Sequence, residues 1–238
     1  MMTCLLAGII FFCAGFLQGL TGFGSALIAI PLLSLLMDIK AAVPLCMLNG
    51  LALTLYLSVH LRFHLDTKKI LPLLIGSLPG IVTGALLLSR LDSHLLRLAI
   101  GVLLIGFSLY RLYLRAPSIQ LPSWCGYLAG FLTGAIGAAL SAGGPPAIIY
   151  TTLTGWNKEE IRATLSGFFV ISGFITVIVH ALTGVSSLAT LSCFSVTVPF
   201  VLAGTLCGSK MSGRFSQVTY LRLVHYLLLV MGVMMVRG

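Results

Sequence analysis

The sequence predicts an all-α integral membrane protein of about eight membrane segments, in two homologous four-segment halves that form an inverted repeat. Three observations lead to this fold class. The 238 residues are 58% apolar and 8% charged, with a mean hydropathy of +1.11, whereas soluble domains carry about 25% charged residues. Apolar runs long enough to cross a bilayer follow one another with short loops between them. Clustered glycine and proline predict that the first segment of each half is broken or re-entrant.

The composition also limits the function classes. The 14 Lys and Arg residues outnumber the 5 Asp and Glu residues, but they lie in short loops, so they indicate membrane orientation and not nucleic-acid binding. A soluble enzyme, a secreted disulfide scaffold and a disordered chain are excluded. The six cysteines lie in apolar stretches without C-x-x-C spacing, so we expect free packing residues and predict neither a metal nor a cofactor.

The apolar runs give the segments in chain order. The first, Met1–Met37, has no charged residue and does not begin as a signal peptide does, so we expect it to remain in the mature protein. Single spans are predicted at Ala41–Leu61, Ile70–Ser89, Leu95–Leu114 and Thr219–Val236, and two at Ala163–Ser209 with a break near Thr183–Ser187. The loops leave no room for a soluble domain, so residues 1–238 are predicted to form one membrane domain.

Two runs have the wrong length for one straight span. As a single helix, Met1–Met37 would measure about 55 Å against a hydrocarbon core of about 30 Å. Its middle reads GLTGFGS, from Gly19 to Ser25, and the run Trp124–Asn157 contains GAIGAALSAGGPP, from Gly134 to Pro146. We therefore predict two half-helices around a non-helical linker in each run. Such backbone is tolerated at membrane depth only where protein or a water-filled cavity satisfies it.

The two broken runs also resemble each other in sequence. At an offset of 115, Ala14–Leu17 recurs as Ala129–Leu132, Gly19 as Gly134 and Gly22 as Gly137. At offsets of 120 and 125, Pro79 recurs as Pro199, Gly84 as Gly204 and Arg97 as Arg222. Several matches in the same order predict a duplicated half. The repeats are residues 1–115 and 124–238, joined by the linker 116–123.

The basic residues favour an inverted arrangement of these halves. If each broken segment crosses once, they divide 8 to 6 between the two sides. If each dips in and returns, one side holds Arg62, Lys68, Lys69, Arg111, Arg115, Lys158, Arg162, Lys210, Arg214 and Arg222, and the other holds Lys40, Arg90, Arg97 and Arg237. The uneven division is the better fit to the positive-inside rule. It makes the repeats inverted and places both termini outside the cytoplasm.

Inverted repeats with broken helices are a recurrent plan of secondary transporters, with the substrate at the midplane where the breaks meet. A half-helix that starts inside the membrane presents unpaired N–H groups and a partial positive charge, which makes an anion site without Lys or Arg. The predicted substrate-binding residues are Thr21, Gly22, Phe23, Gly24, Ser25, Gly137, Ser141, Gly143, Gly144, Pro145 and Pro146. The alternative role for glycine is close helix packing, which we expect of Gly15-x-x-x-Gly19 and Gly130-x-x-x-Gly134.

Other polar residues carry weaker predictions. Asn49 lies in the middle of a span, where a hydrogen bond between helices is the first expectation and a contact with the solute is the alternative. Arg162 is either a topology marker or a residue that attracts anions at the inner mouth. His60 and His180 lie at matching span ends, and we expect them to pack at the membrane interface.

The acidic residues point to the charge of the solute. All five lie in loops or at span ends: Asp38, Asp66, Asp92, Glu159 and Glu160. Cation- and proton-coupled transporters usually bury a carboxylate in the membrane, so we predict an anion as the solute. With a negative interior, an outward-moving monoanion gains about 2.3 kcal/mol per 100 mV, and export then needs no coupling ion. Uptake is the alternative direction.

Two alternatives belong to other functional classes. One is a membrane partner subunit without transport activity. The other is an intramembrane hydrolase with Ser141 as nucleophile and His180 or His225 as base, for which the sequence offers no oxyanion hole and no third orienting group. A purely structural membrane component does not explain why two helices are broken in matching places, so the sequence favours a non-enzymatic transporter.

Several motifs resemble the sulfite exporter TauE/SafE family. They are Gly19-x-x-Gly22-x-Gly24-Ser25 ending in Pro31-Leu32, Gly143–Pro146, Gly155–Lys158 followed by Arg162–Thr164, and Pro79–Gly84 with its copy Pro199–Gly204. The resemblance covers essentially the whole chain. It implies a bacterial inner-membrane protein of about eight segments that moves sulfite, sulfonates or other organic acid anions, usually outward. Ser25-Ala26 and Ala138-Ala139 replace glycines of many members and narrow a pocket lined by backbone.

Overall fold

The computed structural model describes residues 2–21, 24–61, 67–113, 121–122, 124–154, 156, 158–211 and 217–237. Within these residues the chain forms ten α-helices and no strand. The helices are α1 (Met2–Thr21), α2 (Ser25–Leu33), α3 (Ile39–Leu61), α4 (Thr67–Arg90), α5 (Ser93–Tyr113), α6 (Trp124–Leu140), α7 (Gly144–Leu153), α8 (Lys158–Leu182), α9 (Leu188–Met211) and α10 (Gln217–Arg237).

The long helices have the length and composition of membrane spans. Six of them, α1, α3, α4, α5, α8 and α9, are long and apolar enough in their described residues to cross a bilayer. Large apolar side chains also cover the outside of the bundle, as Val102 and Phe174 show with 59% and 58% exposure. A surface of this kind suits lipid and not water. The predicted all-α, multi-pass membrane class is therefore confirmed.

The chain breaks at both predicted places. Gly24, with a left-handed φ of 98°, precedes α2, and Ser141–Gly143 separates α6 from α7. The two arms of each break are unequal, since α1 and α6 have 20 and 17 residues while α2 and α7 have 9 and 10. At 1.5 Å per residue, each short arm covers about half of a 30 Å hydrocarbon core. The expected pair of half-helices is instead a long helix followed by a half-length one.

Glycines bring the long arm of each half into backbone contact with the other half. α1 runs parallel to α9, and α6 runs parallel to α4, with glycine at each crossing. A Cβ atom on Gly15 would lie closer than 3.0 Å to the carbonyl oxygen of Val201, and one on Gly130 would lie as close to that of Leu73. The packing role predicted for the two G-x-x-x-G pairs is therefore confirmed.

The two interfaces repeat the same contacts. The matched pairs are Gly15–Val201 with Gly130–Leu73, Gly19–Thr205 with Gly134–Ser77, Gly204–Phe12 with Gly76–Tyr127, and Gly208–Phe16 with Gly80–Phe131. In every match the residues of α1 and α6 lie 115 positions apart, and those of α4 and α9 lie 128 apart. The contacts therefore relate α4 to α9 by an offset of 128, whereas the sequence identities gave an offset of 120. The difference corresponds to about two helical turns.

The last helices of the two halves, α5 and α10, cross in opposite directions. A Cβ atom on Gly101 would meet the carbonyl oxygen of Gly232 and the backbone of Val236, while one on Gly232 would meet the carbonyl oxygen of Gly101 and the backbone of Ile105. Each helix thus presents the same pair of positions, four residues apart, to the other. Later residues of α5 therefore face earlier residues of α10, so the two helices are antiparallel.

One end of the bundle contains a disulfide, which contradicts the expectation that all six cysteines are free. Cys4 at the start of α1 is bonded to Cys193 near the start of α9, with Cα atoms 5.3 Å apart. The two residues are separated by 189 positions, so no local spacing could indicate the pair. The parallel packing of α1 on α9 brings them together. We call this end of the bundle the disulfide end.

The disulfide end also holds the end of α10 and the segment between α2 and α3. Because α10 follows α9 in the chain, it ends where α9 begins, and the Ser34 hydroxyl lies 3.2 Å from the Met235 sulfur there. In the same segment Asp38 accepts a hydrogen bond of 2.8 Å from the Ser93 hydroxyl at the start of α5. At the opposite end, the Lys69 ammonium of α4 lies 5.0 Å from the ring centroid of Trp156.

Candidate functional site

The second break folds back against α6. The Ser141 N–H donates to the carbonyl oxygen of Gly137 at 2.7 Å, and the left-handed φ of Ser141, 52°, reverses the chain. Gly143 then lies on α6, because a Cβ atom there would be 2.9 Å from the Gly137 Cα and closer still to the carbonyl oxygen of Thr133. No side chain fits in this gap. The break thus brings together Gly137, Ser141 and Gly143, three of the predicted site residues.

The start of α7 has few donors and no side-chain cap. Gly143 stands at the N-cap position without a side-chain hydrogen bond, and Pro145 and Pro146 have no N–H. Proline fits the first turn because the N–H groups there have no partner within the helix. The positive end of the helix dipole remains, with the backbone donors of Gly143 and Gly144. Pro145 is buried, and Gly144 and Pro146 are half-buried.

The first break is closed by a side chain of its own long arm. The N–H of Ser25, the first residue of α2, donates to the Gln18 Oε1 at 3.0 Å. Both residues are buried. The left-handed Gly24 makes this return possible, since residues with a Cβ rarely adopt its φ of 98°. Gly22, Phe23 and the side chain of Thr21 lie outside the described residues.

Gln18 and Thr133 were not singled out from the sequence. Thr133 is 3% exposed, and its hydroxyl has no hydrogen-bond partner in the structure. The two residues lie 115 positions apart, at the offset of the matched glycines. A polar residue at equivalent positions of two apolar helices was the signal that could have identified them. The contacts named for each break hold it against its own long arm, and they do not join one break to the other.

Asn49 has the structural role expected first. Its Nδ2 donates to the Thr197 hydroxyl at 2.9 Å and to the carbonyl oxygen of Leu45 at 3.0 Å. The residue is 1% exposed, and the bond to Thr197 links α3 to α9. The side chain of Arg162, the other auxiliary candidate, lies outside the described residues.

His180 lies in the last turn of α8, and its side chain packs inside the protein. It is 1% exposed, and its Nε2 donates to the carbonyl oxygen of Ala138 at 2.9 Å. The last carbonyl groups of a helix have no partner in the next turn, and Ala138 lies in the last turn of α6. His180 therefore satisfies the end of α6 beside the second break. The side chain of His60 lies outside the described residues.

No metal site accompanies these breaks in the part of the chain that the structure describes, since no three His, Cys, Asp or Glu residues there are grouped to hold an ion. The family model described as sulfite exporter TauE/SafE matches residues 7–235. This chain belongs to the sulfite exporter TauE/SafE family. The resemblance noted in the motifs is thereby confirmed over almost the whole sequence.

A named relative extends the comparison. The "Probable sulfite/organosulfonate exporter TauE" of Cupriavidus necator is 27% identical over 227 residues, which cover 91% of this chain and 87% of the relative. No solved structure matches the chain. As a TauE/SafE protein, the chain is a multi-pass member of a membrane transporter family.

Proposed function

We propose that this TauE/SafE protein is a secondary transporter that moves a small anion, such as sulfite or an organosulfonate, out of a bacterial cell. The observation that carries the proposal is the start of α7. This helix of 10 residues covers about half of the hydrocarbon core, so its free N–H groups and positive dipole end lie near mid-depth. An anion can bind there without a buried Lys or Arg.

The charge distribution supports an anion over a cation. The described acidic residues that precede helices, Asp38 and Asp92, lie at the disulfide end and not inside a span. The printed name of the Cupriavidus necator relative, a sulfite and organosulfonate exporter, agrees with that charge. The proposed substrate class is therefore a small oxyanion. Gly22, Gly24, Ser25, Gly137, Ser141, Gly143, Gly144, Pro145 and Pro146, with Thr21 and Phe23, form the proposed binding region.

The crossing of α5 and α10 supports two inverted halves, residues 1–115 and 124–238. These are the last helices of each half, and Gly101 and Gly232 make matching contacts with each other's backbone. A two-fold axis along the membrane normal would leave equivalent helices parallel. An antiparallel pair requires an axis in the membrane plane, as in inverted-repeat transporters. Counting each broken pair as one segment, we propose four membrane segments in each half and eight in all.

The disulfide supports an orientation with both termini outside the cytoplasm. Disulfides persist in oxidising compartments such as the bacterial periplasm and are rare in the cytosol. The Cys4–Cys193 bond therefore favours a periplasmic disulfide end. The division of basic residues predicted from the sequence agrees, since it assigns Lys40, Arg90, Arg97 and Arg237 to the side of the termini and the other ten to the opposite side. With a negative cell interior, the membrane potential drives an anion outward in either orientation of the protein.

Currents from proteoliposomes on a solid-supported membrane test the proposal. Sulfite, sulfoacetate, other sulfonates and small carboxylates would be applied in turn, with sulfite handled without oxygen. We expect a current for one class of anion that persists when the pH and Na⁺ gradients are removed. Silence for every anion from folded protein, together with no tracer flux under a proton gradient, would refute transport and favour a partner subunit.

A further inference from the structure

Close backbone contacts join one half of the chain to the other. α1 of the first half packs on α9 of the second, and α6 of the second half packs on α4 of the first. At Gly15, Gly19, Gly204 and Gly208, and at their counterparts in α4 and α6, a Cβ atom would lie closer than 3.0 Å to the backbone of the facing helix. Backbones in such contact leave little room for one helix to slide against the other.

These contacts oppose the simplest motion of an inverted repeat, in which one half rocks against the other. If residues 1–115 moved as one body against residues 124–238, both glycine interfaces would have to break. The motion would also part α1 from α9, which the Cys4–Cys193 bond joins. A moving body therefore has to keep α1 with α9, or α4 with α6, and so contains helices of both halves.

One such body is recognisable from its own buried side chains. A first buried cluster takes residues from α4, α6, α7 and α8, namely Ile70, Leu73, Ala129, Ala147 and Phe168. A second joins α4, α6 and α8 through Ile81, Ala85, Ala138, Ile175 and Val179. The His180 Nε2 adds a hydrogen bond from α8 to the carbonyl oxygen of Ala138. We call α4, α6, α7 and α8 the four-helix body.

The boundary of the four-helix body is packed by side chains instead of backbone. Where α3 faces α8, a Cβ atom on Gly173 would have only the Leu51 side chain within 4 Å among the described residues, at an ordinary 3.5 Å. The second break lies on this boundary too, since Ala142 and Ile148 are buried in the core that contains residues of α1, α2, α3, α5, α9 and α10. Packed side chains allow small sliding movements that backbones in direct contact do not.

We propose that transport moves the four-helix body against the remaining helices, so that an anion site at the second break opens first to one side of the membrane and then to the other. This inference rests on the proposed function and adds the moving parts to it. α1 and α9 stay together, so the Cys4–Cys193 bond remains intact throughout the cycle. The bodies that move are therefore not the two halves of the sequence.

A cross-link over the boundary tests this division. The background protein has its free cysteines replaced by alanine: Cys13, Cys46, Cys125 and Cys207. In it, Leu51→Cys and Gly173→Cys place one thiol on each side of the boundary, and a short bis-maleimide joins them. We expect the sulfite or sulfoacetate current to fall at least about tenfold, because the bodies can no longer move apart. Each single-cysteine variant treated with the same reagent should transport like the background.

The native disulfide is the matched control, because it joins two helices outside the four-helix body. The background protein should transport with the Cys4–Cys193 bond intact, as verified by mass spectrometry, and reduction should change the current by no more than about twofold. The unfolding temperature of every variant shows whether it is folded.

Spin labels on lipid-facing positions give a readout that leaves the packing unchanged. Leu55→Cys on α3 with Phe174→Cys on α8 spans the boundary, whereas Ile9→Cys on α1 with Leu206→Cys on α9 does not, and all four side chains are exposed. With maleimide-linked labels, we expect sulfoacetate or sulfite to shift the distance distribution of the first pair and not of the second. These labels decide the question if the cross-linking variant does not fold.

The outcomes separate this inference from the proposed function. If the parent protein gives neither current nor tracer flux with any anion, the proposed function fails and the inference fails with it. If the parent transports while the cross-linked protein does so equally well, or while the Leu55–Phe174 distance stays fixed, the inference is wrong and the proposed function stands. A current that appears only after the Cys4–Cys193 bond is reduced would also overturn the inference, because α1 and α9 would then have to separate.

Discussion

Replacing Gly143 by alanine tests whether the close contact between α7 and α6 positions the proposed anion site. In Gly143→Ala the new Cβ would lie 2.9 Å from the Gly137 Cα, and ordinary contact begins at 3.4 Å. The start of α7 must therefore move by at least about 0.5 Å, and by more to clear the Thr133 carbonyl oxygen, because both neighbours are backbone. Misplacing a positioned group by about 1 Å can cost about 100-fold in rate. We expect the transport current to fall at least about tenfold.

The matched control is Gly106→Ala. A Cβ atom on Gly106 would have no atom within 4 Å, so this variant adds the same methyl group to a helix without displacing anything. Both variants would be compared by transport current and by unfolding temperature in the same detergent. We expect Gly106→Ala to transport like the parent protein and to be at least as stable, since alanine favours helix. Transport by folded Gly143→Ala within twofold of the control would refute the argument that this gap positions the anion site.

Three further predictions concern packing, charge and orientation. Gly80→Ala should lower the free energy of unfolding by about 1–3 kcal/mol relative to the same control, because its Cβ would collide with the Phe131 carbonyl oxygen; an unchanged SDS-unfolding midpoint would contradict this. Burial alone raises the pKa of the Asp38 carboxyl, but nearby N–H, hydroxyl and guanidinium groups outweigh it and lower the pKa below its ordinary 3.8. Its stabilisation is therefore present above about pH 4 and lost as the pH falls through the lowered pKa, so Asp38→Asn should lower the unfolding temperature at neutral pH and not in strong acid. Cys4 and Cys193 should react with an impermeant maleimide on intact spheroplasts only after their disulfide is reduced. Labelling only from the cytoplasmic side would show that the proposed orientation is wrong.

The breaks in α1–α2 and α6–α7 were predictable because their cause is local. Glycine and proline change the backbone wherever they occur, and runs of this length cannot cross the membrane as one helix. The packing of Gly15 and Gly130 was predictable for a similar reason, since small residues four positions apart form a groove on any helix. The unequal length of the arms was missed, because hydropathy shows where a run is apolar but not where the chain reverses.

The register between the halves could not be predicted correctly. Sequence identities suggested an offset of 120 for α4 and α9, whereas the glycine contacts give 128. Apolar helices are built from a small set of residue types, so identities between them arise by chance at several offsets. The offset of 128 follows from the backbone carbonyl group that each glycine contacts. Those contacts join helices that are far apart in sequence, so neither helix alone determines the offset.

The sequence by itself determined that this chain is a helical membrane protein, where its helices break, and which family it resembles, because hydropathy and backbone propensity act within a few residues. Only the tertiary structure showed that Gln18 closes one break, that His180 bonds the end of α6 beside the other, and that Cys4 is bonded to Cys193. Hydrogen bonds and disulfides depend on distances between atoms that are far apart in sequence, so only packing decides which partners meet.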